Sequence, residues 1–233
     1  MKISDIKGIF KKSTLTIVSV EHKHGDYYQI IMKPEVGVTW NPGEHGIFTL
    51  PDRKVQGKKW RAFSIASIPE ENVMIIGTRT GKAISNFKKE LISMKKGDKV
   101  TIRGPFGWFK VQDLTSPIVM VVGGVGITPI MSILKQLKRD SSRPVELLYA
   151  SSEYYLFDDE IQAIALENRS ITIHKTHTNE ETSTTLATLV DKYRNEAYYF
   201  ISGAPSFIRA IKKQLKNADV KGKRIINDPF FGY

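Results

Sequence analysis

Ile118-Val119-Met120-Val121-Val122-Gly123-Gly124-Val125-Gly126-Ile127-Thr128-Pro129 decides the reading of this 233-residue chain. An apolar, β-branched run stops at glycines. Beyond them Ile130, Ile133, Leu134 and Leu137 recur at helical spacing. The pattern predicts a strand, a tight glycine turn and a helix. Such a turn brings backbone close to a pyrophosphate at a helix N-terminus, where free N–H groups and the helix dipole favour anions. Pro129 suits the first helical turn, where its missing N–H has no partner to lose.

Strands and helices alternate after about Val111–Pro117. The expected order is Ile118–Val122, Thr128–Lys138, Val145–Ala150, Phe157–Leu166, Ile171–His174, Thr184–Tyr193, Ala197–Ile201, Pro205–Lys216 and Arg224–Ile226. That is an α/β, doubly wound parallel sheet with helices on both faces. The polar stretch Thr178–Thr185 reads as a loop. The first half is different: short β-type runs (Ser13–Val20, Tyr27–Met32, Gly46–Leu50, Ala62–Ile65, Val73–Thr78, Lys99–Ile102) are broken at Lys33-Pro34, Asn41-Pro42-Gly43 and Pro69-Glu70. They predict an antiparallel barrel or sandwich. One helix interrupts it, from about Ser85 to Ser93. The expected class is α+β with two domains, residues 1–112 and 113–233.

Composition narrows the function. The chain is 41% hydrophobic and 25% charged, as a soluble globular protein is. No apolar run approaches the ~18–20 residues of a membrane span. Lys2, Asp5, Lys7, Lys11 and Lys12 interrupt any signal-peptide core. A cytoplasmic location is expected. The chain has no cysteine, so it holds no disulfide, thiolate zinc site, Cys-ligated iron–sulfur cluster or Cys nucleophile. The net charge of +11 is uneven, with +10 on residues 1–112 and +1 on the rest. A solvated basic face is one reading; a docking face for an acidic partner, found by electrostatic steering, is the other. Nucleic-acid recognition patterns are absent from the sequence.

Four signals fall in order: Arg61-Ala62-Phe63-Ser64, Gly81-Lys82-Ala83-Ile84-Ser85-Asn86, Gly123–Pro129 and Ser202-Gly203-Ala204-Pro205. Together they resemble the ferredoxin–NADP reductase superfamily, in which a flavin-binding barrel precedes a nicotinamide-nucleotide domain. The resemblance runs from about Ser13 to the end of the chain. It implies FAD in the barrel and NAD(P)H on the sheet. Arg61 would meet the FAD pyrophosphate, for which a guanidinium fork is well shaped. Ser64 would hydrogen-bond near flavin N5, where hydride arrives. Phe63 replaces the usual Tyr and keeps the aromatic plane without its hydroxyl. Gly81, Ser85 and Asn86 resemble the second flavin motif. Pro42-Gly43-Glu44 and Gly104-Pro105-Phe106-Gly107 resemble structural turns of the barrel.

In the nucleotide half, the resemblance gives the motif of Gly123, Gly124, Gly126, Thr128 and Pro129 to the NAD(P)H pyrophosphate and puts Thr128 near the nicotinamide. Ser202 stands where the family often has Cys, beside the reacting carbon, and Gly203 follows it. Tyr233 is the preferred candidate for a terminal aromatic on the flavin face, with Phe230 and Phe231 as alternatives. Glu153, just after the strand Val145–Ala150, accepts from a ribose hydroxyl and repels a 2′-phosphate, which favours NADH; Lys175, within His174–His177, is the opposing signal. His174 and His177 are read on one strand, facing opposite ways. The basic stretch Arg53–Arg61 reads as a solvated hairpin; contact with a redox partner or the FAD adenosine is the alternative.

The implied activity is an FAD-dependent NAD(P)H oxidoreductase that passes electrons to a separate carrier, an acidic ferredoxin or flavodoxin. Two alternatives stand beside it: a reductase component for an oxygenase or another acceptor, and a non-catalytic flavin- or nucleotide-binding subunit of a redox complex.

Overall fold

A computed structural model of the chain describes residues 5–81 and 83–228. The described residues divide into two compact units, 5–110 and 111–228.

The first unit is one antiparallel sheet. Its strands are β1 (Lys12–His24), β2 (Tyr27–Pro34), β3 (His45–Thr49), β4 (Trp60–Ser64), β5 (Met74–Arg79) and β6 (Lys99–Phe106), in the order β4-β3-β6-β1-β2-β5. Leu15 and Ile17 in β1, and Ile30 and Met32 in β2, alternate with more exposed neighbours, so each strand sends one face inward. The β1–β2 register shifts between Ile17 and Ser19, a bulge that bends the pair. The two ends of the sheet meet beyond β4, where Ala66 N–H donates to Ile75 O at 2.8 Å and Ile75 N–H donates to Ser67 Oγ at 3.0 Å. These bonds curl the sheet towards a barrel. Helix α1 (Asn86–Ile92) fills the interior with Phe87 and Leu91, packed in one core with Leu15, Ile17, Phe48 and Phe63.

The second unit is a parallel sheet of β7 (Ile118–Gly123), β8 (Val145–Ala150), β9 (Ile171–Thr176), β10 (Tyr198–Ser202) and β11 (Ile225–Asn227), in the order β11-β10-β7-β8-β9. The helices α2 (Ile127–Leu137), α3 (Asp158–Glu167), α4 (Asn179–Tyr193) and α5 (Pro205–Asn217) connect the strands. β7 is buried from Ile118 to Val122 and reads as an unbroken apolar run, as a central parallel strand must. The chain winds outward through β8 and β9, then returns to the other side of β7 for β10 and β11. With right-handed crossovers, α2 and α3 cover one face and α4 and α5 the other. The winding reverses between β7 and β10. At such a switch point two loops leave the carboxyl edge in opposite directions and open a crevice.

Three local expectations need correction. The stretch 178–185 is helical from Asn179: Thr178 Oγ1 accepts from Glu181 N–H while Glu181 Oε2 accepts from Thr178 N–H, a reciprocal capping box. Its first turn is polar, so apolar spacing does not reveal it. His177 lies beyond β9, which ends at Thr176, so the two histidines do not share a strand. Gly104-Pro105-Phe106 belongs to β6 and does not form a turn; Phe106 pairs with His45.

Candidate functional site

In the second unit, the two glycine turns predicted from separate places meet at the switch point. β7 and β10 are hydrogen-bonded neighbours, with Val122 opposite Ser202. A Cβ on Gly126 would lie 2.6 Å from both the N and Cα of Gly203. No side chain fits between them, so the two backbones are in direct contact there. Gly203 has φ +149°, a conformation that L side chains rarely adopt. The Phe207 ring closes the other side of this junction: a Cβ on Gly123 would lie 3.1 Å from it. Gly126 and Gly203 are buried in this junction, and Gly123 and Gly124 are partly exposed beside it, so the turn offers backbone without side chains, as the close approach of a pyrophosphate requires.

The side chains around it are committed. Thr128 Oγ1 donates to Val125 O at 2.8 Å and so stiffens the turn. Pro129 is buried in the first turn of α2, as its ring requires. Ser202 is fully buried, and its hydroxyl donates to Asp228 Oδ2 at 3.2 Å. Asp228 follows β11 and is anchored by its own N–H to Ile201 O at 2.9 Å. Sequence reading misses Asp228 because 26 residues separate it from Ser202, and only the β10–β11 pairing joins them. Phe207 is missed because its ring meets Gly123, 84 positions earlier in the chain.

At the carboxyl end of β8, Glu153 is exposed in the loop. Lys175 Nζ pairs with Asp158 Oδ2 at 2.6 Å, and His174 Nε2 lies 2.8 Å from Glu146 Oε2. Lys175 and His174, the two residues of the 174–177 stretch paired here on β9, therefore already face carboxylates.

In the first unit, Arg61, Gly81, Ser85 and Asn86 converge around α1. Arg61 donates through Nη1 to the carbonyl oxygens of Lys58 and Trp60, which anchors its guanidinium 5.7 Å from the Phe87 ring centroid. Gly81 turns with φ +70° and its N–H donates to Asp26 Oδ2 at 2.9 Å. Ser85 caps α1, its Oγ accepting from Lys88 N–H at 3.3 Å, and Asn86 is the exposed first helical residue. The cluster also contains Arg79 and Lys88, which sequence reading passes over; Lys88-Lys89 looks like an ordinary solvated helix face. Among the described residues, three cations with one nearby carboxylate, Asp26, fit a phosphate-bearing group.

Phe63 and Ser64 sit differently. Phe63 is 8% exposed, its ring edge-on to Phe48 at 5.6 Å and tilted to Phe87 at 6.2 Å, so it belongs largely to the barrel core. Ser64 is buried at the end of β4, directly across the ladder from His45. Burial against Phe106 and Trp108 pushes the His45 imidazole down to about 4, so the ring beside Ser64 is neutral at neutral pH. In the basic hairpin, Arg53 is tied to Asp98 at 2.6 Å, while Lys58 lies over the Trp60 ring at 3.8 Å. Tyr233, Phe230 and Phe231 lie outside the described residues.

A curled antiparallel sheet followed by a parallel sheet with glycine turns at its switch point defines the class as a two-unit dinucleotide oxidoreductase fold. Comparison with known proteins agrees. Residues 120–213 match the family model described as "Oxidoreductase NAD-binding domain". One subunit of the Na(+)-translocating NADH-quinone reductase of Klebsiella pneumoniae is 30% identical over 199 residues, covering 74% of this chain and 49% of that protein. The same subunit of the Pseudoalteromonas haloplanktis enzyme is 33% identical over 164 residues, covering 65% and 53%. The chain thus spans about half the length of these curated relatives. Among solved structures, the Amycolatopsis cytochrome P450 reductase GcoB superposes with a TM-score of 0.77 at 20% identity, over 93% of this chain and 69% of that one. The FAD/NAD-binding domain of Vibrio cholerae nitric oxide dioxygenase gives 0.75 at 20%, over 94% and 98%. Residues 120–213 thus form an oxidoreductase NAD-binding domain, and the whole chain has the two-unit fold of these FAD- and NAD-binding reductases. FAD and NAD(P)H, the cofactors implied by its motifs, agree with these comparisons.

Proposed function

We propose that this chain is an NADH-oxidising flavoprotein module that takes hydride from NADH and delivers electrons to a quinone-reducing assembly. The observation that carries the reading is the Gly126–Gly203 contact, which packs two glycine turns together at the switch point where a dinucleotide binds in such sheets. The quinone-linked acceptor is supported by the relatives that belong to NADH-quinone reductases. A ferredoxin or flavodoxin is the rival acceptor, supported by the +10 charge on residues 1–112. NADH is favoured over NADPH by exposed Glu153 and by the pairing of Lys175 with Asp158.

The residues divide the work as follows. Gly123, Gly124 and Gly126 present backbone to the pyrophosphate of NADH, and Thr128 and Pro129 hold that turn rigid. Gly203 lets the second loop approach without a side chain, while Ser202, oriented by Asp228, shapes the floor beneath it. Arg61, Gly81, Ser85 and Asn86 hold the flavin phosphates. Ser64 supplies a hydroxyl at the flavin ring and Phe63 backs it from the core. Tyr233 is the proposed aromatic cover. FAD, when bound, accepts electrons as a pair and releases them singly.

The test is an anaerobic titration of the FAD-loaded protein with NADH and then NADPH, followed by flavin absorption. Rapid bleaching by NADH, and reoxidation by a short-chain quinone faster than by ferredoxin or flavodoxin, is expected. A yellow protein that neither nucleotide bleaches would instead mark a non-catalytic binding subunit. Failure to take up FAD would refute the flavin assignment.

A further inference from the structure

Lys88 occupies an unusual position in the first unit. Its ammonium reaches back across the Gly81 turn and donates to the carbonyl oxygen of Arg79. It is half-buried, and two guanidiniums stand close by. Burial does most to hold Lys88 below the ordinary lysine range; the Arg61 charge adds to this, Asp26 opposes it, and Arg79 lowers it further. Asp26 is the carboxylate of this group, and its two oxygens accept from Arg79 Nε and Gly81 N–H, each at 2.9 Å. Arg79 is further held over the Tyr27 ring at 4.4 Å, and Arg61 by the carbonyls of Lys58 and Trp60. Among the described residues, Lys88 therefore has two anchored guanidiniums for neighbours and one carboxylate, which already serves two donors. Gathering like charges in a partly desolvated place is costly unless an anion joins them.

We propose that Lys88 binds a phosphate of the flavin nucleotide as the third cation of a cradle with Arg61 and Arg79, Asp26 keeping that cradle in shape. This rests on the flavin reading above and extends it to a residue that the motifs do not mark. A Lys here is a point charge with three donors, so it keeps its bond to the Arg79 carbonyl while offering another proton to a phosphate oxygen. The competing explanation is that Lys88 only props the Gly81 turn through that carbonyl.

The experiment titrates the full chain, as wild type, Lys88→Met and Lys88→Arg, with FAD, FMN and riboflavin, read by flavin fluorescence, with inorganic pyrophosphate as competitor. Loss of one charge-assisted hydrogen bond predicts that Lys88→Met binds FAD about 10- to 100-fold more weakly. Its riboflavin affinity should stay within about twofold, and Lys88→Arg should recover most of the loss. An equal loss for FMN assigns Lys88 to the phosphate next to the ribityl chain; an FAD-only loss assigns it to the adenosine-side phosphate. Unchanged FAD affinity in Lys88→Met overturns the proposal, and so does a parallel fall in FAD and riboflavin, the signature of a prop. Circular dichroism and thermal unfolding of the apo variants separate either result from misfolding. Should wild type itself bind neither FAD nor FMN, the flavin reading falls and this proposal with it, an outcome distinct from a wild type that binds and a variant that binds equally.

Discussion

Ser202 and Asp228 form a buried pair at 3.2 Å, the hydroxyl at the end of β10 donating to a carboxylate that follows β11. The serine thus faces inward and orients the loop that carries Gly203. Ser202→Ala removes the donor and leaves a buried carboxylate oxygen less satisfied, at a cost of about 1–3 kcal/mol. The expected result is a lower urea midpoint and flavin reduction by NADH slowed about ten- to hundredfold through misplacement of the loop, with FAD affinity unchanged. Stopped-flow bleaching at saturating NADH checks the rate, and an unaltered rate would remove Ser202 from the site.

Gly126 is the more sensitive position. A methyl group there would lie 2.6 Å from the Gly203 backbone, and backbone cannot swing aside as a side chain can. Gly126→Ala should cost about 1–3 kcal/mol as an overpacked contact. NADH binding, measured by calorimetry, should be lost while FAD uptake by the first unit persists. Retention of normal NADH affinity would show that the two turns do not form one surface.

Glu146 sits at the hub of a buried network, accepting from Tyr193 Oη at 2.7 Å and Lys192 Nζ at 2.9 Å, with His174 Nε2 at 2.8 Å. Burial alone would push its carboxyl up; the hydrogen bonds from His174, Lys192 and Tyr193 and the Lys192 charge outweigh it and hold it at about 2. A depressed carboxyl stabilises the fold above its unfolded value, and that contribution is lost as pH falls from about 4.5 towards 2. Glu146→Gln should lower stability at neutral pH and flatten the acid loss in that window, as read by urea midpoints across pH. An identical slope in the variant would exclude Glu146 as the source.

His45 acts in a different window. Its imidazole lies near 4 because of burial, against an ordinary 6.5. The unfolded chain therefore binds the extra proton first, and stability falls as pH drops from about 6.5 to 4. His45→Phe should remove that slope and leave the Glu146 slope intact. The His45 ring resonances in nuclear magnetic resonance should stay those of a neutral imidazole at pH 6.

Nucleotide choice is testable at Lys175. Its partner Asp158 holds it at 2.6 Å. Asp158→Asn frees an exposed cation, and the gain towards a 2′-phosphate is that of a surface pair. The ratio of kcat/KM for NADPH over NADH should rise about two- to fivefold. No change in the ratio would place the adenosine ribose away from β9.

How much of this was legible in the chain follows from the range of each signal. β7, the Gly123–Gly126 turn and α2 are local patterns, carried by adjacent residues, and they appear as read. So does the Ser85 cap of α1, because a side chain bonding three residues on is a local event. The first turn of α4 was illegible because its driving contact is polar: Thr182 is buried and its hydroxyl meets Thr176 Oγ1 at 2.8 Å. Phe63 shows the converse limit. An aromatic in a binding motif and an aromatic in a core look alike until its neighbours Phe48 and Phe87 are in place.

The two-part α+β architecture, the absence of any cysteine chemistry and the two glycine turns that mark a dinucleotide fold are written in the chain's local patterns and composition. All of these rest on composition or on residues within a turn or two of each other. It took the folded chain to show that Gly126 and Gly203 touch, that Ser202 answers to Asp228, and that Arg61, Arg79 and Asp26 all stand near Lys88. Those relations join strands and helices far apart along the chain. Their distances follow from strand order and register, which emerge only when the whole sheet closes on its core.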